Sequence, residues 1–181
     1  MLPITIPATE AWDEKNEMFV EAEKAVTLQL EHSLVSLQKW ESRWHKPFLT
    51  KREKTREELL DYIRCMTLTQ NVDPRVYLRI TNQHIDEIYE YINNKMTATI
   101  IPEDKNRKGG REIVTAELIY YWMISLNIPF ECRKWHLNSL LTLIQVCNVK
   151  NSPRKKMSKR ELMSRNASLN AARKKQLNSR G

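Results

Sequence analysis

Glycine is scarce in this 181-residue chain: three residues, none in a GxGxxG or GxxxxGK spacing. Without those spacings neither the dinucleotide-binding turn nor the phosphate cradle is expected. GxSxG and HExxH are missing as well, which excludes the nucleophile elbow and the zinc-protease helix. The three cysteines, Cys65, Cys132 and Cys147, form no CxxC pair. They make neither an even disulfide set nor a zinc ribbon, and they read as reduced and mostly buried. No run approaches about eighteen apolar residues, and the opening Met1-Leu-Pro-Ile-Thr-Ile-Pro7 lacks the basic stretch and apolar core of a signal peptide. A soluble intracellular protein is the expectation.

What is present suffices for a core. Apolar residues make up 41% of the chain and five are Trp, a composition that excludes global disorder. The formal charge is +8, but it is unevenly spread. Residues 150–181 hold eleven Lys and Arg against Glu161 alone, a local +10 that leaves residues 1–149 at −2. The turn signal Asn151-Ser152-Pro153 punctuates that shift, since Pro153 cannot continue a helix. The reading is therefore a near-neutral body, 1–149, and a basic tail, 150–181.

The body is expected to be α+β and mainly α, with a small N-terminal β-hairpin or sheet within a β-rich 1–32 and helices over 33–149. Leu2, Ile4 and Ile6 alternate, as do Val26, Leu28 and Leu30, which is the period of a half-buried strand. Met18-Phe19-Val20 is the candidate hairpin partner of 26–30. From Ser33 the period turns helical, with Leu34, Leu37, Trp40 and Trp44 on one face until Pro47. Thr55 and Glu58 form a capping box ahead of Leu59, Ile63 and Met66. Val76, Leu78 and Ile80 fit a short strand or a helical lead-in to a third helix after Thr81, whose stripe is Ile85, Ile88, Tyr89 and Ile92. Pro102 to Gly110 reads as a hydrated loop, bounded at 102–112. The segment after Thr115 is apolar nearly all round, which predicts the central helix of the body. Pro129 opens a further helix with Phe130, Leu137, Leu140, Leu141 and Ile144 on its main face. Trp135, Leu143 and Val146 lie off that face as a second apolar strip that needs more core or a partner.

Catalytic and metal chemistry find little support. Cys132 and His136, four apart on a helix, supply at most half of a tetrahedral zinc set. A buried thiol beside a satisfied histidine is the plainer reading. Nothing locates an oxyanion donor or an orienting carboxylate for a Cys–His pair, and the adjacent carboxylates Asp13-Glu14 and Glu57-Glu58 diverge on a helix. No catalytic residue, metal or cofactor is expected. The Trp residues sit in the near-neutral body and the cations in the tail, a segregation that favours core packing over base stacking.

The tail reads as a basic amphipathic helix from Ser158, with Glu161 completing a capping box. Leu162, Leu169 and Leu177 fall within an arc of about 80°, flanked by Arg165, Arg173 and Lys174. A narrow apolar stripe among cations suits a partner-binding segment. It could also hold nucleic acid weakly and non-specifically by counterion release.

Several strings resemble tail assembly chaperones of long-tailed bacteriophages. They are Leu28-Gln-Leu-Glu-His-Ser-Leu-Val-Ser-Leu-Gln-Lys-Trp-Glu-Ser42 running on to Lys46-Pro-Phe-Leu49, the stretch from Glu103 to Met123, Lys134 to Cys147, and in the tail Met157-Ser158 and Arg165-Asn166 through to Leu169-Asn-Ala-Ala-Arg173. That resemblance implies a non-enzymatic protein of the host cytoplasm during phage assembly. Its partners would be the tape measure protein and possibly the tail tube protein, and homo-oligomers are possible. A structural virion protein of the tail or neck is the alternative, and a nucleic-acid-binding module using the tail is a second.

Overall fold

A computed structural model describes residues 1–14, 17–100, 113–151 and 159–177. It is mainly helical, with small antiparallel sheets at the N-terminal end, and thus α+β. Contacts divide the chain into two compact units, Met1–Val149 and Lys150–Gly181. The expected loop at 102–112, the turn expected at Ser152-Pro153 and the Ser158 cap lie outside the described residues.

Four strands open the chain: β1, Leu2–Ile6; β2, Thr9–Asp13; β3, Met18–Glu23; and β4, Val26–Leu30. The expected pairing of 18–20 with 26–30 does not occur. β4 pairs antiparallel with β1, Leu2 opposite Leu30 and Ile6 opposite Val26, while β3 pairs with β2 as a separate ribbon. The reason is the pleat: Ile4 and Ile6 match Leu28 and Leu30 on one face, and all four are buried. Beyond β4 the backbone is clasped from both sides. The Glu31 N–H donates to the Met66 carbonyl at 3.0 Å, and the Leu137 N–H donates to the His32 carbonyl at 2.7 Å.

Helix α1, Leu34–Trp44, starts where Ser33 and Ser36 cap each other and ends in a left-handed His45, φ 51°. Helix α2, Arg56–Met66, begins at the expected box. Thr55 Oγ1 accepts the Glu58 N–H at 3.2 Å, and Glu58 Oε2 accepts the Thr55 N–H at 3.0 Å. These local bonds satisfy donors that every helix N-terminus leaves free. α1 and α2 pack through an aromatic cluster in which the Trp40 ring meets Phe48 at 5.0 Å and Phe48 stacks on Tyr62 at 3.7 Å. Trp40 is fully buried, and its indole N–H donates to the Glu58 carbonyl at 2.8 Å.

Residues 74–79 form a 3-10 helix, which decides between strand and helical lead-in. Helix α3, Asn82–Asn93, is capped by Thr81 and His84. It buries Ile88 and Tyr91, whereas Tyr89, expected inside, is exposed. Tyr91 reaches inward because its hydroxyl donates to Glu31 Oε1 at 2.9 Å.

Helix α4, Ala116–Ser125, is capped by Thr115 but is not central. It buries Ala116, Ile119 and Met123, and leaves Tyr121 63% and Ile124 60% exposed. Its first N–H is held by a buried carboxylate: Glu41 Oε2 accepts from Ala116 at 2.7 Å and Oε1 accepts from Phe48 at 2.9 Å. After Pro129 the chain makes a 3-10 helix, Phe130–Lys134, and then breaks at extended Trp135 before α5, Leu137–Asn151. Phe130 is therefore not on the main face of α5 and is half-exposed, while Leu137, Leu140 and Ile144 are buried. No helix among the described residues is long and apolar enough to cross a membrane.

Candidate functional site

The tail residues singled out above lie on α6, Lys159–Leu177. Spacings of seven and eight residues return Leu162, Leu169 and Leu177 to one side at about 100° per residue. All three are exposed, as are Arg165, Arg173, Lys174 and every other side chain described in this helix. Among the described residues, this helix buries no face within its own unit.

The second strip is split. Trp135 is the extended residue that closes the 3-10 helix, while Leu143 and Val146 belong to α5, so the three do not share one helix. Trp135 is exposed and the other two are half-buried. Leu143 packs against the core, which gives it a structural role already.

Cys132 and His136 also fail to share a helix face, because the break at Trp135 separates them. Among the described residues no group of three or more His, Cys, Asp or Glu could hold a metal. His136 instead joins a buried polar chain. Its Nε2 donates to the Tyr91 carbonyl at 3.1 Å, its Nδ1 accepts from the Asn138 N–H at 3.3 Å, and its ring meets His32 edge-on at 5.2 Å. His32 Nδ1 lies 2.6 Å from the Tyr62 hydroxyl. Burial first, and the neighbouring His136 second, push His32 down to about 3. Burial likewise lowers His136 and raises both the Cys65 and Cys132 thiols. These groups are thereby held neutral near pH 7, where histidines accept hydrogen bonds and thiols are poor nucleophiles.

One concave surface was not among the sequence candidates. It is an open groove of about 790 Å³ between the end of α1, the outer side of α2 and the 3-10 helix at 74–79. Helical spacing builds it: Lys39 and Arg43 are four apart on α1, and Arg56, Leu60 and Arg64 are four apart on α2. Arg43 is paired with Asp61, whose other oxygen accepts the Trp44 indole N–H at 2.9 Å. Arg56 donates to the Ile80 carbonyl and to Asn82 Oδ1, each at 3.0 Å. The Arg64 guanidinium lies over the Tyr77 ring at 5.3 Å, and a second open cavity that shares Arg43 and Arg64 with the groove is lined also by Lys39 and Cys65. Arg64 and Lys39 enter no ion pair among the described residues. The i,i+4 cation spacings were the available signal. What they lacked was any indication that the two helices stand side by side.

Compared with known proteins, the chain matches no protein-family model, no curated protein and no solved structure.

Proposed function

We propose that the chain is a non-enzymatic tail assembly chaperone of a long-tailed bacteriophage that binds the tape measure protein during tail morphogenesis. The observation that carries this reading is the exposed leucine stripe of α6 within a strongly basic segment. The resemblance of the strings at 28–49, 103–123, 134–147 and 165–173 names the client. A long helical client shows an apolar stripe to water until it is enclosed. Leu162, Leu169 and Leu177 cover such a stripe, while Arg165, Arg173 and Lys174 select acidic flanks and speed encounter. Three aliphatic anchors hold a client without the large interface of a permanent complex, which suits release during assembly.

The test is co-expression of the full chain with the tape measure protein. Replacing Leu162, Leu169 and Leu177 by Ser leaves the melting temperature of the body nearly unchanged, because no core residue is touched. Recovery of soluble client falls, by ~2 kcal/mol in binding for each leucine that acts as an anchor. Equal recovery moves the contact to the body, where exposed Trp135 is the next candidate. Stoichiometric presence of the chain in finished virions supports the structural alternative instead.

A further inference from the structure

The charge of the body is itself divided. Residues 9–23 contain six Asp and Glu against one Lys, a local −5, so the other residues before 150 sum to +3. The acidic segment is the β2–β3 ribbon, which pairs with no further strand among the described residues. A two-stranded ribbon is marginal in water unless something packs on it. At its base Glu23 pairs with Arg79 at 2.9 Å, and Arg79 also donates to the Pro7 carbonyl. Further out Glu10, Glu14 and Glu17 are exposed, and they flank Trp12 and Met18, which are 52% and 54% exposed.

The groove has the opposite character. Lys39 and Arg64 offer cations with no ion pair among the described residues, and Trp44, Leu60, Tyr77 and exposed Leu78 make apolar walls. Cations between apolar walls fit a segment that carries carboxylates between large apolar side chains. We infer that the acidic β2–β3 ribbon of one copy docks in the basic groove between α1, α2 and the 74–79 helix of a second copy. A polyanion such as nucleic acid brings charge along its whole backbone but no exposed indole and thioether side chains to set against the walls of Trp44, Leu60 and Leu78. The basic α6 of a second copy has the charge to receive the ribbon, but a lone exposed helix has no concavity in which to bury an indole. Because ribbon and groove are different surfaces, the contact is either exchanged reciprocally in a two-fold dimer or repeated head to tail.

The experiment is sedimentation velocity on the full chain, wild type and two charge-reversed variants, at low and high salt. The ribbon variant carries Glu10→Lys, Glu14→Lys and Glu17→Lys and spares Glu23. The groove variant carries Lys39→Glu and Arg64→Glu and spares Arg43, whose loss would orphan Asp61. Wild type is expected to self-associate, more tightly at low salt, and each variant alone to weaken association by ~100-fold or more. Mixed one to one, the two variants restore it, since each reversed ribbon then faces a reversed groove. Circular dichroism checks the fold, and Glu14→Gln with Arg64→Gln gives a milder pair should a reversal unfold the chain. A wild type that is monomeric at every concentration overturns the inference. So does a groove variant that associates like wild type, or loss of association only on neutralising Arg165, Arg173 and Lys174, which would put the ribbon on α6.

Discussion

His32 and His136 stand edge to face inside the body, held neutral mainly by burial. In an unfolded chain a histidine takes up its proton near 6.5, whereas folded His32 resists until about 3. Between those values the unfolded state binds more protons, so acid favours unfolding. The contribution is complete above about pH 6.5 and is lost as pH falls, at up to ~1.4 kcal/mol per pH unit for each histidine. The hydrogen bond from His136 to the Tyr91 carbonyl, and after it nearby Glu31, moderate the His136 shift by favouring the charged form. Glu58 acts in a lower window. Hydrogen bonds from Lys46 and Arg52, then from the Thr55 N–H, hold it down to about 2, so its stabilisation is lost only as pH falls from 4.5 toward that value. Urea denaturation from about pH 7.5 to about 5 is expected to show a falling midpoint in wild type and a flatter profile in His32→Gln. A wild-type midpoint independent of pH over that range would contradict a buried neutral pair.

At the scale of elements, α4 separates composition from burial. Its sequence is apolar on every side, yet only Ala116, Ile119 and Met123 are buried. Ile119→Ala is expected to destabilise the body by about 2–5 kcal/mol, the range for a buried large-to-small change. Tyr121→Ser and Ile124→Ser, on the open side, are expected within about 0.5 kcal/mol of wild type. Thermal or denaturant melts of the three variants check this, and a loss at Ile124 equal to that at Ile119 would mean that the open side is covered. The same contrast applies to α3, where Tyr91 rather than Tyr89 is inside. Residues two apart on a helix differ by about 200°, and the one that faces inward is the one whose hydroxyl meets Glu31, sixty positions away in sequence.

For the whole molecule, the division into Met1–Val149 and Lys150–Gly181 coincides with the shift in charge. Among the described residues, those that are buried all belong to the first unit. A helix the length of α6 is marginal by itself in water, and the run Arg154-Lys155-Lys156 offers trypsin its sites beyond α5. Limited digestion is expected to leave a fragment ending soon after Lys150 that melts cooperatively. An unfolded fragment would mean that the tail belongs to the core.

What the sequence by itself determined are the features set by neighbours within a few residues. The alternation of β1 and β4 and the Thr55–Glu58 box that starts α2 are both of this kind. In each, the groups that decide the outcome lie within a turn or a strand of one another. Tertiary structure alone decided which strands pair, since β1 and β3 both precede β4 and only the closure of the core selects β1. It also decided how much of α4 is covered: periodicity says which side chains are apolar, but not whether a unit of this size has enough interior to enclose them. The groove belongs to the same class. Lys39, Arg43, Arg56 and Arg64 read as two solvated helix faces until α1 and α2 pack side by side, because a charge in sequence has no direction until its helix has a neighbour.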